Sequence, residues 1–517
     1  MPRRWALQTA ILACAAVAVF WGFYTLDNFA RPQAGGIGPL TRYMAFDAAS
    51  VADGASSLSG VNAAVFGIVI IVVSIIVQLT AGRYAGVARM FLRDRVNMVV
   101  AAYYVVACAV SVWLSVSLTP DYVPRATLAV TLSMTTGGLI IMAPYFGYVF
   151  WFLEPKNIIA RIRLEAVKSC CDPERNAADC FAAQARTIFA LEELTDIANN
   201  SIAGRDKIIA SGAVDAMKDF ALEYLKAKPK LSEAWFSIGP DIRMNPDFVA
   251  MDPESLGELE DRRTWVEWTV MRQYLSVYNE ALGSMRDINY LIAIDTRYIG
   301  EAAAEAKDAQ LVQLVFRYFN SYIRATLNAK DIRTTYNVLN QYRKFVETLL
   351  RRGDHRAALD GVKHMKYYGL VSFETNLSFV TETVAYDVST IAQLANELAS
   401  PAEREILTEF LELDRAPFVR DQEKALLGVR KAQVKLAAYY LASGQEDRAR
   451  AIANDMGGEP RERLLAISRE LGNVESKEFW EIIDRGRNFE YLPPEQRACL
   501  PRFFAWLGIG PQAQQPG

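Results

Sequence analysis

The stretch QLTAGRYAGVARMFLRDRVN, residues 78–97, lies between two apolar runs of about twenty residues each, the length of a bilayer crossing, and carries Arg83, Arg89, Arg93 and Arg95. A short basic segment between two such runs reads as a cytoplasmic loop between membrane spans. Within it Tyr84, Val87, Phe91 and Leu92 follow the i, i+3, i+7, i+8 spacing of one helix face. An amphipathic helix at the membrane surface is expected, with its arginines among the lipid headgroups. Setting the topology is the simpler role for these arginines. A lipid or effector site is the more specific one.

Working outward, four runs are long enough to span a bilayer: 5–24, 61–81, 98–117 and 126–152. None contains Asp, Glu, Lys, Arg or His, which removes the usual signature of a proton pump or ion-coupled transporter. The first run follows Arg3 and Arg4 but ends in VFWGFY, without a small-x-small cleavage site, so an uncleaved anchor is expected. Arg3, Arg4, the four arginines of the opening stretch, Lys156, Arg161, Arg163 and Lys168 flank one set of span ends. Only Arg31, Arg42 and Arg125 flank the other. The positive-inside rule then puts both termini in the cytoplasm of a multi-pass protein of the cell inner membrane. This segregation explains how 517 residues combine 52% hydrophobic and 22% charged residues with a mean hydropathy of +0.07. The long apolar runs precede Pro155, and most of the charge follows it.

The remainder reads as helix. Residues 155–236 are expected to form membrane-proximal helices. SIGPDIRMNPDFVAMDP (237–253) forms a break rich in Pro, Gly and Asp, 254–510 a further helical domain, and 511–517 a flexible tail. In AQLVQLVFRYFNSYIRATLN, Leu311, Leu314, Val315, Tyr318, Phe319 and Tyr322 form a stripe expected to be buried. EAAAEAKD (301–308) reads as a solvated helix face. Gly353 and Gly444 each precede a small residue, Ala358 and Ala449, by five positions, like the turn of a helical hairpin. The fold class expected is all-α: four transmembrane helices followed by a large cytoplasmic helical domain, with divergent helical-hairpin repeats as one packing and an ordinary bundle as the other.

No motif points to catalysis. The chain lacks a P-loop, a dinucleotide fingerprint and a nucleophile elbow. CCDPERNAADC places Cys170, Cys171 and Cys180 without C-x-x-C spacing, and the two histidines, His355 and His364, are nine residues apart. No catalytic residue, cofactor or metal site is assigned. In the spans, Gly67, Ser74 and Gln78 share one helix face, and Thr127, Thr131, Thr135 and Gly138 form another stripe. Such small and hydroxyl residues let helices pack closely in lipid, or line a narrow pore.

The segment ASSLSGVNAAVFGIVIIVVSIIVQLTAGRYAG, followed by RMFLRDR, resembles the bacterial predicted-membrane-protein family called domain of unknown function 2254. Phe66, Gln78, Leu79 and Tyr84 fit the family's span and the element after it, and Arg89, Phe91, Leu92, Asp94 and Arg95 fit the next. The family's Ser-Pro-Arg element is replaced here by AGV. The resemblance covers residues 45–220 best and implies a bacterial membrane protein, with no activity attached. A membrane-anchored interaction or signalling scaffold is the function expected. An oligomeric channel with a pore built from the polar stripes is the alternative. The expected partners are the lipid bilayer, further copies of the chain and a cytoplasmic protein, with no nucleic acid.

Overall fold

Helix ends leave amide and carbonyl groups without intrahelical partners, so a helical chain is shaped by how it satisfies them at each reversal. The computed structural model describes residues 2–30, 43, 48–81, 87–119, 123–170, 177–414, 423–478, 485 and 488–510. The described residues are largely helical and contain no β-strand. Their contacts divide the chain into two compact units, Met1–Arg161 and Ile162–Gly517.

The first unit contains α1 (Pro2–Ala30), α2 (Ala48–Ala81), α3 (Val87–Arg93), α4 (Arg95–Ser117) and α5 (Arg125–Leu153). Val51–Ile75, Arg95–Ser117 and Arg125–Leu153 are long and apolar enough to cross a membrane; the apolar part described in α1, Ala13–Asp27, is shorter. The crossing stretch of α2 thus begins ten residues before the apolar run at 61–81. The small residues of ADGASSLSG continue the helix there, and Val51 and Ala55 are buried in one cluster with Leu114 and Leu128. In the opening stretch, residues 82–86, including Arg83 and Tyr84, lie outside the described residues. The short helix α3 covers the rest as far as Arg93. The division between the units falls inside α6 (Pro155–Cys170).

The second unit is a two-layer stack of helices. These are α7 (Ala177–Ala203), α8 (Lys207–Ala227), α9 (Trp265–Ala281), α10 (Arg286–Glu305), α11 (Ala309–Asn328), α12 (Ile332–Arg351), α13 (His355–Glu374), α14 (Ser378–Glu397), α15 (Glu403–Leu411) and α16 (Glu423–Ala442). Successive helices alternate between layers, α8, α10, α12, α14 and α16 packing side by side in one and the odd-numbered helices in the other. Beyond α16 the chain forms α17 (Glu446–Asp455), α18 (Arg461–Asn473) and α19 (Leu500–Trp506). The stretch 237–253 lies within this unit as short turns, Pro240–Arg243 and Pro246–Val249. Gln184 of α7 pins it, donating to the carbonyls of Trp235 (3.0 Å) and Ser237 (2.7 Å) and accepting from Gly239 N (3.0 Å).

From α10 to α14 every helix is 20 residues long, and the starts at Arg286, Ala309, Ile332, His355 and Ser378 recur every 23 residues. Each three-residue connection places its middle residue in the left-handed region: Lys307 (φ 56°), Lys330 (52°), Gly353 (81°) and Asn376 (59°). The residue after it folds its amide back onto the preceding helix, as in Asp308 N to Ala303 O (2.9 Å), Asp331 N to Thr326 O (2.9 Å) and Asp354 N to Leu349 O (2.9 Å). This is the Schellman closure. The same aspartates cap the next helix, accepting from Leu311 N (3.0 Å), Thr334 N (3.2 Å) and Ala357 N (3.2 Å). EAAAEAKD is therefore not a solvated face to its end. Ala303 is fully buried, and Ala306, Lys307 and Asp308 make the reversal. All six residues of the Leu311–Tyr322 stripe are buried, and Tyr322 stacks on Tyr278 at 4.5 Å.

Close approach between layer neighbours requires glycine at Gly300, where a Cβ would lie 2.7 Å from the Phe345 ring. Between α8 and α10 the Asp295 carboxylate is almost wholly buried, 3.5 Å from Lys218 Nζ and accepting from Tyr274 OH (3.4 Å). Burial pushes its pKa from 3.8 up to about 7, against the pull of Lys218.

The turn predicts opposite effects from opposite substitutions. Gly353→Ala should destabilise the protein by about 1 kcal/mol, and Lys330→Gly should be neutral or stabilising, because a side chain is strained at positive φ. Urea unfolding of the two variants checks this. A Gly353→Ala protein as stable as wild type would contradict the turn's geometry.

Because the folded pKa of Asp295 lies above its unfolded value, the folded state holds the extra proton between about pH 4 and 7. That contribution to stability is complete below pH 4 and is lost as pH rises through 7, an effect of up to roughly 4 kcal/mol. Asp295→Asn should raise the melting temperature at pH 8 and flatten its dependence between pH 4 and 7. A variant melting lower than wild type at pH 8 would refute the assignment.

Candidate interaction face

Residue order along α12, α14 and α16 sets one surface of the even-numbered layer. Tyr336 and Arg343 on α12 are seven residues apart, as are Phe379 and Tyr386 on α14, so each pair shares a helix face. Lys431 and Lys435 on α16 share another at four-residue spacing. Across these three helices lie Arg485, Phe489 and Glu490, from a later part of the same chain. Arg485 NH1 donates to Asp387 Oδ1 (2.5 Å) and NH2 to the Tyr336 carbonyl (2.6 Å), with the guanidinium 4.1 Å from the centre of the Tyr336 ring. Arg343 Nε also reaches Asp387 Oδ1, at 3.1 Å, so one buried carboxylate faces two guanidinium groups. The Phe489 ring stacks on Tyr386 (5.0 Å between centroids), and its carbonyl accepts from Lys435 Nζ (2.7 Å). Glu490 accepts from Lys431 Nζ at 2.6 Å. Burial holds the Tyr386 hydroxyl well above its usual pKa and raises that of Glu382 despite the pull of Lys431, so this face is largely withdrawn from water.

A second feature of this unit is a polar cavity of about 350 Å³ bordered by α9, α11 and the short helix Pro253–Asp261. Trp268, Tyr318, Arg262, Arg272 and Arg317 line it. Asp247 pairs with Arg272 (3.0 Å) and Glu258 with Arg262 (3.0 Å), which neutralises much of the charge.

In the first unit, Arg93 and Arg95 are exposed, Arg89 lies in α3 with its side chain outside the described residues, and Arg83 is wholly outside them. The residue between the exposed arginines is the structural one. Asp94 caps α4 by accepting from Val96 N (3.0 Å), and its carboxylate also accepts from Tyr148 OH (2.7 Å) and Arg161 NH1 (3.1 Å). Arg161 lies over the Phe152 ring at 4.2 Å, and Phe91 meets Phe152 edge-on at 5.2 Å. From the sequence Asp94 enters only through the family resemblance and with no role of its own, because its partners lie 54 and 67 residues away.

The polar stripes divide. Ser74, Gln78 and Thr127 are exposed, while Thr131, Thr135 and Gly138 are buried. Thr131 donates to the Thr127 carbonyl (2.8 Å) and Thr135 to that of Thr131 (2.9 Å), so both hydroxyls are bonded within their own helix. Tyr104 OH donates to the Gly138 carbonyl (2.7 Å), and a Cβ on Gly138 would lie 3.1 Å from the Tyr104 ring. Of the cysteines read for soft-metal spacing, Cys170 and Cys180 are buried and Cys171 lies outside the described residues. His355 bonds Ser400 Oγ (2.9 Å) and His364 bonds Tyr342 OH (3.2 Å), each through Nδ1.

No family model, curated protein or solved structure matches the chain.

The Asp94 junction yields a ranked prediction. Asp94→Ala removes a helix cap and leaves Arg161 and Tyr148 without their acceptor. It should destabilise the protein by about 2 kcal/mol or more, whereas Arg93→Ala and Arg95→Ala should change stability by less than about 0.5 kcal/mol. Melting of the purified protein in mild detergent measures the order. Equal losses for all three would deny Asp94 its role.

Proposed function

We propose that the chain is a membrane-anchored interaction scaffold whose stacked cytoplasmic helices bind an extended protein segment. The observation carrying this reading is the face of α12, α14 and α16, which holds Arg485, Phe489 and Glu490 through groups from three successive even-numbered helices. A stack of helices that alternate between two layers is suited to that task, because every second helix lengthens the same face. In this reading the connected helices are divergent repeats. The α1 helix adds a fourth span to the three apolar ones, and both termini lie in the cytoplasm of a bacterium, at its inner membrane. The chain is then a diverged member of the family called domain of unknown function 2254, and it works as a homo-oligomer.

The second reading is an oligomeric channel. It draws on an open cleft of about 900 Å³ bordered by α1, α2 and α5, where Ser57, Ser133, Thr136 and Gly137 supply polar and small surface. This polar surface lies beside the Thr131–Thr135 stripe rather than along it.

Site-specific photo-crosslinking in living cells tests the scaffold. A photoreactive residue at Phe379, exposed beside Tyr336, should capture a cytoplasmic protein. The same residue at Tyr367, exposed on α13 in the other layer, should not. Absence of any adduct specific to position 379, together with an ion current from the reconstituted protein, would favour the channel.

A further inference from the structure

Arg485, Phe489 and Glu490 are held by strong groups in an imperfect fit. Arg485 and Asp387 are each almost fully buried, yet Arg485 Nε and Asp387 Oδ2 have no hydrogen-bond partner among the described residues. Each such orphaned atom has lost its water without gaining a partner in return. Arg343 remains beside Asp387 when Arg485 leaves, so the carboxylate is not stranded without a counter-charge. The Tyr386 ring, the Tyr336 ring and Lys431 form a ready set of sites for a planar ring, a guanidinium and a carboxylate. The face has the marks of a recognition site whose present occupant is exchangeable.

We infer that this face recognises an extended peptide of a partner protein carrying an arginine, an aromatic residue four positions later and an acidic residue next, and that Arg485, Phe489 and Glu490 are its stand-in within the same chain. The inference rests on the scaffold reading and names the partner's chemistry. The partner's arginine would take Asp387 and the Tyr336 carbonyl, its ring would stack on Tyr386, and its carboxylate would meet Lys431. Lys435 binds a backbone carbonyl and so fixes the peptide's register without reading its sequence. The occupant within the chain sets a threshold: a partner binds only when it displaces Arg485, Phe489 and Glu490, and its apparent affinity is the intrinsic affinity scaled by the fraction of time the face is open.

The test uses the full-length protein in lipid nanodiscs and a fluorescein-labelled peptide of residues 482–493, read by fluorescence polarisation. The double variant Arg485→Ala/Phe489→Ala should bind the peptide at least about ten-fold more tightly than wild type, because its face is vacated. Adding Asp387→Asn to that variant should abolish binding. Glu490→Ala, which removes the segment's own contact to Lys431 and leaves the face intact, serves as a milder way to loosen the segment. It should also bind better than wild type if the double variant does not fold. No saturable binding to a double variant of unchanged helicity and melting, or equal binding to wild type, would overturn the proposal. Peptide binding without a cellular adduct at position 379 would count against the scaffold reading while supporting this recognition chemistry. An adduct without peptide binding would do the reverse.

Discussion

Reversing a buried helix within three residues is the constraint on which the second unit depends. The chain must leave one layer, satisfy the last carbonyls of one helix and the first amides of the next, and enter the other layer. A left-handed residue followed by an aspartate does all of this at three successive connections, after α10, α11 and α12. The fixed 20-residue helix follows from it, since each helix must cross the same layer before the next reversal. The alternation of layers then brings α12, α14 and α16 side by side and makes one continuous face from residues distant in the chain.

Carboxylates withdrawn partly or wholly from water serve as fixed points in both units, and each is used differently. Asp94 joins a helix cap to a tyrosine and an arginine, so that the turn between α3 and α4 is tied to the end of α5 and to α6. Asp295 is buried with a weakly held counter-charge, and burial raises its pKa instead. Asp387 is shared by two arginines, one on the neighbouring helix and one on the later segment. Removing one partner of a buried pair costs far more than a surface ion pair is worth, roughly 3–5 kcal/mol against 0–1 kcal/mol. These three positions therefore govern local order more than the many exposed pairs do.

The two halves differ in what holds them. In the first unit, three of whose helices are long and apolar enough to cross a membrane, apolar burial among helices does not compete well with lipid, and packing relies on small residues and interhelical hydrogen bonds. Gly138 under the Tyr104 ring, Tyr103 OH on the Met134 carbonyl (2.6 Å) and Asn62 on Ser111 (2.5 Å) are of this kind. In the second unit, large aromatic side chains such as Trp265, Tyr274, Tyr322 and Tyr342 are fully buried, and apolar burial drives the stacking of layers.

The sequence alone determined the properties that depend on local periodicity and composition. These are the segregation of apolar runs before Pro155, the helical class and the burial of the Leu311–Tyr322 stripe. A 3.6-residue period and a run length need no knowledge of distant partners. Gly353 and Gly444 were legible as turns because glycine announces a left-handed residue. The equivalent turns at Lys307, Lys330 and Asn376 were not, because those residues adopt that conformation only when helices on both sides enforce it. Tertiary structure alone decided that Thr131 and Thr135 bond within their own helix and that Asp94 outranks its neighbouring arginines. It alone brought Arg485 across 98 residues to Asp387. Such contacts are set by which helices become neighbours, and that follows from the stacking of whole layers, which no short window of residues encodes.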